Sequence, residues 1–377
     1  MFETPFTSYF ESKNVYFANF GNWRMPVYFT SIKSEYNAVR NDVGLFDVSH
    51  MGYIEITGSD STILASYITT NDIENLEPYK AAYSFICSED SGILDDIIIY
   101  KKSANHYIFI VNAINVDKIY SHLIKHSVNK NVNINNLHHK MLSIAIQGPN
   151  SPKIINKMFN RCINIEYFYI EEFVFKGAQV LISRTGYTGE IGFEVWINHE
   201  KYPEMFKYIV NFIDENNLRL CGLGARDILR LEAGYPLYNH ELSEDINPFQ
   251  VSGSWAVKLN KLDFIGKEAL ITLQKPEQKS VLRGFIFDDR ALPREGCKIY
   301  FNNEEIGFIT SGTFSFHLNK PIALGFIKQD ILNNPNAVQI KVRDKFITAH
   351  ITKPKFYDNK LIKSKLEECD DKNCCCR

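Results

Sequence analysis

The run Gly92-Ile93-Leu94-Asp95-Asp96-Ile97-Ile98-Ile99-Tyr100 sets two adjacent carboxylates at the start of an otherwise apolar stretch. Ile97 to Tyr100 is too hydrophobic to leave in water, and a glycine bounds it upstream. Together these features predict a buried strand after a turn. Successive side chains of a strand point to opposite faces, so Asp95 and Asp96 face opposite ways. One can reach solvent or cap the turn, and the other is then carried toward the interior. An ionised carboxylate forced inward costs on the order of several kcal/mol unless it is paired or hydrogen-bonded. The alternative reading leaves both acids in the turn, where they do no more than solvate it.

Outward from this strand, Tyr53 to Thr57 alternates as a second strand, and His106 to Val111 predicts a hairpin with Ile97 to Tyr100 across a polar turn. Tyr202 to Asn216 puts Met205, Ile209, Phe212 and Ile213 on one helical face. From about Leu282 to Ile351 the chain changes character. Short apolar runs are separated there by Gly296, Asn302-Asn303, Gly307, Gly312 and Gly325, the rhythm of a small β-barrel or sandwich. The fold class is therefore α+β, mainly antiparallel, ending in a small β-barrel or jelly-roll.

At 377 residues the chain is long enough for two or three domains. Its 45% hydrophobic and 23% charged residues are ordinary for a soluble globular protein. A net charge of −2 provides no global attraction to nucleic acid or to an anionic membrane, so neither is expected as a partner. No apolar run reaches bilayer-spanning length, and Met1-Phe2-Glu3-Thr4-Pro5-Phe6 has neither the order of a secretory signal nor the Arg-rich character of a transit peptide. The expected location is the cytoplasm, or the mitochondrial matrix if the chain is a processed eukaryotic form. No phosphate-cradling glycine loop or dinucleotide fingerprint is present, which disfavours nicotinamide, flavin and ATP chemistry.

Cys87, Cys162, Cys221 and Cys297 are isolated, as reduced core cysteines usually are. Cys369, Cys374, Cys375 and Cys376 crowd the terminus without the spacing that closes a tetrahedral zinc site, so no metal is expected. They fall in a segment with no apolar periodicity. Residues 359–377 are accordingly expected to be a disordered tail, and removal of residues 361–377 is expected to change neither stability nor turnover.

Two further segments hold more glycine, tyrosine and paired charge than a core requires. Ser183-Arg184-Thr185-Gly186-Tyr187-Thr188-Gly189-Glu190 is a sharply bent connection that can project Tyr187 and bring backbone close to a ligand. After it, Glu194 alternates with Phe193 and Val195 and points to the opposite face. In Gly222-Leu223-Gly224-Ala225-Arg226-Asp227-Ile228-Leu229-Arg230-Leu231-Glu232, glycine opens a helix on which Arg226 and Arg230 share a face. Taken singly, each segment is accounted for by a structural turn or an intrahelical ion-pair network.

Their order along the chain adds a second kind of information. Phe46-Asp47-Val48-Ser49-His50-Met51, Gly92 to Asp96, Val111-Asn112-Ala113, Arg184 to Glu190 and Gly222 to Glu232 follow one another at intervals that resemble those of the aminomethyltransferase family, the T-protein of the glycine cleavage system. Asn247-Pro248, Trp255, Gly266-Lys267-Glu268-Ala269-Leu270 and Thr310-Ser311-Gly312 extend the resemblance over nearly the whole chain. The resemblance implies a three-domain cloverleaf. Its expected units are residues 1–52 plus 141–243, residues 53–140 plus 244–279 carrying Asp96, and a barrel over 280–358. It also implies a monomer with tetrahydrofolate as co-substrate in a central channel and a lipoylated carrier, the H-protein, as partner. The activity implied releases ammonia and passes a one-carbon unit to folate as 5,10-methylenetetrahydrofolate.

Residue by residue, the resemblance assigns catalysis to Asp96 and leaves Asp95 to serve the turn. A carboxylate within reach of the weakly basic folate arylamine can orient it, accept its proton and stabilise developing positive charge. Glu194 matches the position that accepts from the pterin donor edge, and Arg226 a folate-contacting arginine. Tyr83, Tyr187 and Met51 match the channel lining, Asn112 offers an amide there, and Tyr167 also lines the pocket. Tyr357 matches a late folate-contacting tyrosine. The chain departs from the family at Asn22, His240, Gln250, Phe316 and Asp358. Asp358 stands where a basic residue is common, which implies weaker glutamate-tail binding with the chemistry intact.

Two rival readings differ in class. A non-catalytic folate-binding relative that assists iron–sulfur assembly carries a cysteine-containing turn where this chain has Arg184-Thr185-Gly186-Tyr187. The folate domain of a demethylating flavoenzyme would follow a large flavin domain.

Overall fold

The computed structural model describes residues 1–273, 280–333 and 337–366. The predicted hairpin forms the centre of a five-stranded antiparallel sheet. Its spatial order is Lys80–Cys87, Ile93–Ser103, His106–Val111, Gly52–Thr57 and Asn133–Asn136. Ile98 sits opposite Ile110 on one side and Tyr83 on the other, and this register brings Phe85 opposite Asp96. Alternation along Ile93–Ser103 then sorts the side chains. Ile93, Asp95, Ile97 and Ile99 are buried, while Leu94, Asp96 and Ile98 are partly exposed.

The buried face is closed by the helices Ser61–Ile68 and Val116–His126. Leu64, Ala65, Ile68, Val116, Ile119 and Leu123 pack with Ile54, Ile97, Ile99 and Phe109. Asp95 belongs to this face and is fully buried, so it does not serve the turn as expected. The strand begins at Ile93, earlier than the apolar run suggests, because Lys80–Cys87 on its other side offers ladder pairing to polar and apolar residues alike, with Ile86 opposite Asp95 and Cys87 opposite Ile93. Gly92 precedes it where backbone crowds in: a Cβ there would lie 1.9 Å from the carbonyl oxygen of Glu244.

A six-stranded sheet runs Ile170–Phe175, Ala178–Ser183, Gly192–Asn198, Met141–Gln147, Gly44–Asp47 and Arg219–Leu220, antiparallel except for its last, parallel pair. The predicted helix spans Pro203–Glu215 and buries Met205, Ile209, Phe212 and Ile213, the four residues that its periodicity singles out. They pack against Ile144, Ile146, Val195 and Ile197 of this sheet.

The last third closes into a six-stranded barrel in the order Ser280–Phe287, Lys320–Lys328, Glu304–Ser315, Lys298–Phe301, Ala337–Val342 and Lys345–Thr352. Phe285, Phe287, Ile299, Ile309 and Ile340 fill part of its interior. The architecture is α+β and mostly antiparallel with a terminal barrel, as the alternation and the glycine rhythm predict.

Buried ion pairs tie these parts together. Arg40 donates to Glu190 over 2.9 Å and to Glu232 over 2.8 Å, and Glu232 also accepts from the hydroxyls of Tyr36 and Ser315. On the helix Leu223–Ala233, Arg230 makes the expected intrahelical pair with Asp227 at 2.8 Å. Its fully buried partner, however, is Glu241 at 2.9 Å, which also accepts from Thr310 and Ser311 at the barrel wall. Gly234 ends this helix with φ +78°, directly under the C-terminal segment.

That segment is more ordered than its composition suggests. Lys360–Lys363 forms a short 3-10 turn, and the buried Arg184 donates to the carbonyls of Ile362 and Ser364 over 3.2 and 2.7 Å. Fixed charge on Arg184 gives these backbone groups a partner that periodicity does not register. The four terminal cysteines lie outside the described residues. Cys87, Cys221 and Cys297 are free thiols as expected, whereas Cys162 is disulfide-bonded. Among the described residues no helix is long and apolar enough to cross a membrane.

Candidate active site

A cavity of about 1390 Å³ opens where the two sheets, the helix Leu223–Ala233 and the C-terminal segment meet. Met51, Tyr83, Asp96, Asn112, Tyr167, Tyr187, Glu194, Arg226 and Tyr357 all line it, so the residues expected at one site converge on one space. Tyr83, Asp96 and Glu194 come from strands and Arg226 from a helix, while Met51, Asn112, Tyr167, Tyr187 and Tyr357 come from the segments that connect them.

Asp96 faces this cavity because its strand turns Asp95 inward. Its Oδ2 accepts from the Tyr83 hydroxyl at 3.0 Å, and its Oδ1 accepts from the Asn112 side-chain amide at 2.8 Å. Burial pushes its carboxyl above the usual carboxylate range, while the two donors pull it back. Behind it, the same Asn112 amide lies 2.8 Å from Oδ1 of Asp95, and the Asn112 backbone N–H donates to Oδ2 of Asp95 over 3.0 Å. Asn115 adds a third donor to Asp95 at 2.7 Å. Asp95 is also pushed upward, first by burial and then by the charge of Asp96. Tyr83 is held by stacking on Trp255, with ring centres 5.3 Å apart.

Glu194 projects from Gly192–Asn198, whose flanking Phe193 and Val195 are buried on the other face. Its Oε2 accepts from Thr185 Oγ1 at 2.5 Å and from the Tyr100 hydroxyl at 3.5 Å. Its Oε1 takes no hydrogen bond from any described residue. Burial raises its carboxyl above the ordinary range, against the pull of Thr185 and Arg226.

Arg226 has no carboxylate within ion-pair distance among the described residues. Its guanidinium lies 5.1 Å from the centre of the Tyr187 ring and 3.3 Å from Nε2 of His50. Burial lowers its affinity for the proton, and the partial charges of Tyr187 and Glu194 only partly offset this. A part-buried cation without a counter-ion among the described residues, beside a carboxylate with a free oxygen, suits a ligand that brings both an acceptor and a donor edge.

The remaining positions carry more structural duty than the sequence suggests. Tyr187 stacks on Tyr235 and donates to the Pro236 carbonyl. The Tyr357 hydroxyl is committed to Glu190 at 2.6 Å, and the Arg40 guanidinium lies 3.8 Å from its ring centre. Tyr357 therefore offers the cavity a ring surface, its hydroxyl being already taken. Met51 packs between the Phe46–Leu229 and Tyr53–Trp196 clusters. Tyr167 contacts Phe168, and the Lys363 ammonium lies 5.9 Å from its ring. Asp358 is exposed and pairs with Lys355 at 2.6 Å; Lys355, Lys360 and Lys363 line the same rim.

Sequence reasoning missed Trp255 as the support of Tyr83, Thr185 as the partner of Glu194, and His50. His50 is fully buried beneath Phe20 and Trp23, in a motif from which only Met51 was singled out. A histidine between Ser49 and Met51 carries no signal of its own, because its partner Arg226 lies 176 positions away. Among the described residues no group of three or more His, Cys, Asp or Glu could hold a metal ion.

Comparison with known proteins identifies the family and the fold. Residues 6–261 match the GCVT N-terminal domain, and residues 281–358 match the glycine cleavage T-protein C-terminal barrel domain. The aminomethyltransferase of Alkaliphilus metalliredigens is 38% identical over 358 residues, covering 94% of this chain and 97% of that protein. The aminomethyltransferase of Anoxybacillus flavithermus is 40% identical over 342 residues, covering 90% and 94%. The crystal structure of the glycine cleavage system aminomethyltransferase T from Bartonella henselae superposes with a TM-score of 0.87 at 27% identity, over 95% of this chain and 98% of that one. With both family domains matched in order and near-complete coverage of the relatives, the chain belongs to the glycine cleavage T-protein family of aminomethyltransferases.

Proposed function

We propose that this chain is the tetrahydrofolate-dependent aminomethyltransferase of the glycine cleavage system. In this reading it takes an aminomethyl group from the lipoyl arm of the H-protein, releases ammonia and leaves the arm as dihydrolipoyl. The one-carbon unit leaves as 5,10-methylenetetrahydrofolate. The observation that carries the reading is the convergence of Asp96, Glu194 and Arg226 on one cavity, each with hydrogen-bonding capacity left for a ligand.

The residues fit a folate. Glu194, with Oε1 free, can accept from a pterin donor edge, and Arg226 can meet a carbonyl or carboxylate. The rings of Tyr83, Tyr187 and Tyr357 supply flat walls for the pterin and aminobenzoyl groups. Folate supplies the nucleophilic amine. Asp96 accepts the proton that this amine loses as its bond to the aminomethyl carbon forms. Tyr83 and Asn112 hold the Asp96 carboxylate in place for that transfer. Two bonds to the aminomethyl carbon form, one to N5 and one to N10 of folate, and two break: the C–N pair leaves with ammonia and the C–S pair stays on the lipoyl sulfur. The two N–H protons that folate loses, one of them by way of Asp96, end on the departing ammonia and thiol.

The division into residues 1–52 plus 141–243, 53–140 plus 244–279, and 280–358 is part of this reading. Each interval holds the strands of one of the larger sheets almost completely, Gly52 at the first boundary excepted. A monomer acting in the cytoplasm with the lipoylated H-protein completes it. Ammonia release from aminomethylated H-protein, measured with and without tetrahydrofolate, tests the whole reading. Folate-stimulated release is expected. Release that is absent, or that is indifferent to folate, overturns it in favour of a binding protein.

A further inference from the structure

Asp95 is a buried carboxylate for which the proposed chemistry has no direct use. It is fully buried on the helix-covered face of its sheet, and three N–H donors converge on it. Two of the three belong to Asn112, whose backbone N–H meets Oδ2 and whose side-chain amide meets Oδ1. The same amide nitrogen carries a second hydrogen, and Oδ1 of Asp96 lies 2.8 Å from it on the other side of the strand. It also lies 3.1 Å from the Asp96 carbonyl oxygen. Asn112 therefore bridges two carboxylates that the strand pleat holds on opposite faces.

We propose that Asp95 is a positioning residue that acts through Asn112: by clamping that amide it fixes the orientation of the Asp96 carboxylate. The inference rests on the reading of Asp96 as the proton acceptor. Without Asp95 the Asn112 side chain keeps only one of its two carboxylate partners and is free to rotate. Asp96 is then held firmly only by Tyr83, at one oxygen, while the unclamped Asn112 amide at the other oxygen no longer fixes its plane. A two-point grip on a carboxylate defines its plane, whereas a one-point grip leaves it able to swing about the remaining bond. Burial makes the arrangement sensitive to substitution, since the Asn112 backbone N–H and the Asn115 amide have Asp95 as their acceptor and no other among the described residues. Asn115 belongs to the same clamp, because its amide occupies the remaining position on Oδ1 of Asp95.

The test compares Asp95→Asn, Asn115→Ala and Asp96→Asn in the full chain with aminomethylated H-protein. It measures turnover, tetrahydrofolate dissociation constant and melting temperature. Asp95→Asn is expected to lower kcat by about 10²-fold, the scale of a misplaced reacting group, with the folate dissociation constant within about twofold. Asn115→Ala is expected to lower kcat by a smaller factor with the same split, and it decides the matter if Asp95→Asn does not fold. Combining Asp95→Asn with Asn112→Ala is expected to cost no more in kcat than the larger single loss, because both remove one clamp. Unchanged kcat in Asp95→Asn, or in Asn115→Ala if the former is unfolded, overturns the inference. So do losses that multiply in the double variant. Near-normal turnover in Asp96→Asn instead overturns the reading beneath it.

Discussion

The hydroxyl of Tyr83 donates to Oδ2 of Asp96 over 3.0 Å, joining neighbouring strands across the wall of the cavity. This hydrogen bond favours the ionised form of a carboxylate that burial otherwise disfavours. Several expectations rest on that balance.

Asp96→Asn is expected to lower turnover by about 10²–10⁴-fold while leaving tetrahydrofolate affinity and melting temperature nearly unchanged. The amide keeps the size of the side chain and can still bond, but it cannot take a proton. Steady-state rates beside a folate titration check this. Near-normal turnover would place the proton acceptor elsewhere.

The acidic limb of kcat/KM is expected above the ordinary carboxylate range. The active form of Asp96 is the carboxylate, and its population falls as pH drops through a value that burial has raised. Tyr83→Phe removes a donor to the charged form, so it is expected to move the limb to still higher pH and to cost roughly tenfold or more in rate at neutral pH. A limb that stays in place or moves down in Tyr83→Phe would refute the assignment of that limb to Asp96.

Glu194→Gln and Arg226→Ala are expected to act on folate binding. Each removes one charge-assisted hydrogen bond, worth about 1.5–3 kcal/mol, or roughly 10–100-fold in dissociation constant. Calorimetric titration of tetrahydrofolate against both variants measures it. Unchanged constants in two well-folded variants would move the pterin site away from this end of the cavity.

Removing residues 361–377 is expected to lower the melting temperature, the reverse of what the composition of the segment suggests. Arg184 is 2% exposed and loses two carbonyl acceptors in the truncation. A buried charged donor left unpaired costs about 1–3 kcal/mol or more. Thermal unfolding of the truncated chain beside the full one decides the point, and coincident transitions would show that these bonds contribute nothing.

The sequence by itself determined the local elements. Alternation defined the strand at Tyr53, a continuous apolar run bounded by turns defined those at Ile97 and His106, a 3.6-residue period identified the four buried residues of Pro203–Glu215, and glycine spacing announced the barrel. These signals are short-ranged and follow from backbone geometry and water. The order of motifs carried the family resemblance, and with it the nine residues that meet at the cavity. Tertiary structure alone decided which carboxylate faces which way. Alternation requires Asp95 and Asp96 to diverge, but only the helices packed on one face of the sheet define that face as the interior. It likewise decided that Glu241, not a helix neighbour, is the buried partner of Arg230, and that Arg184 holds the C-terminal segment. A charge chooses its partner by distance through space, and hydropathy along the chain does not encode that distance.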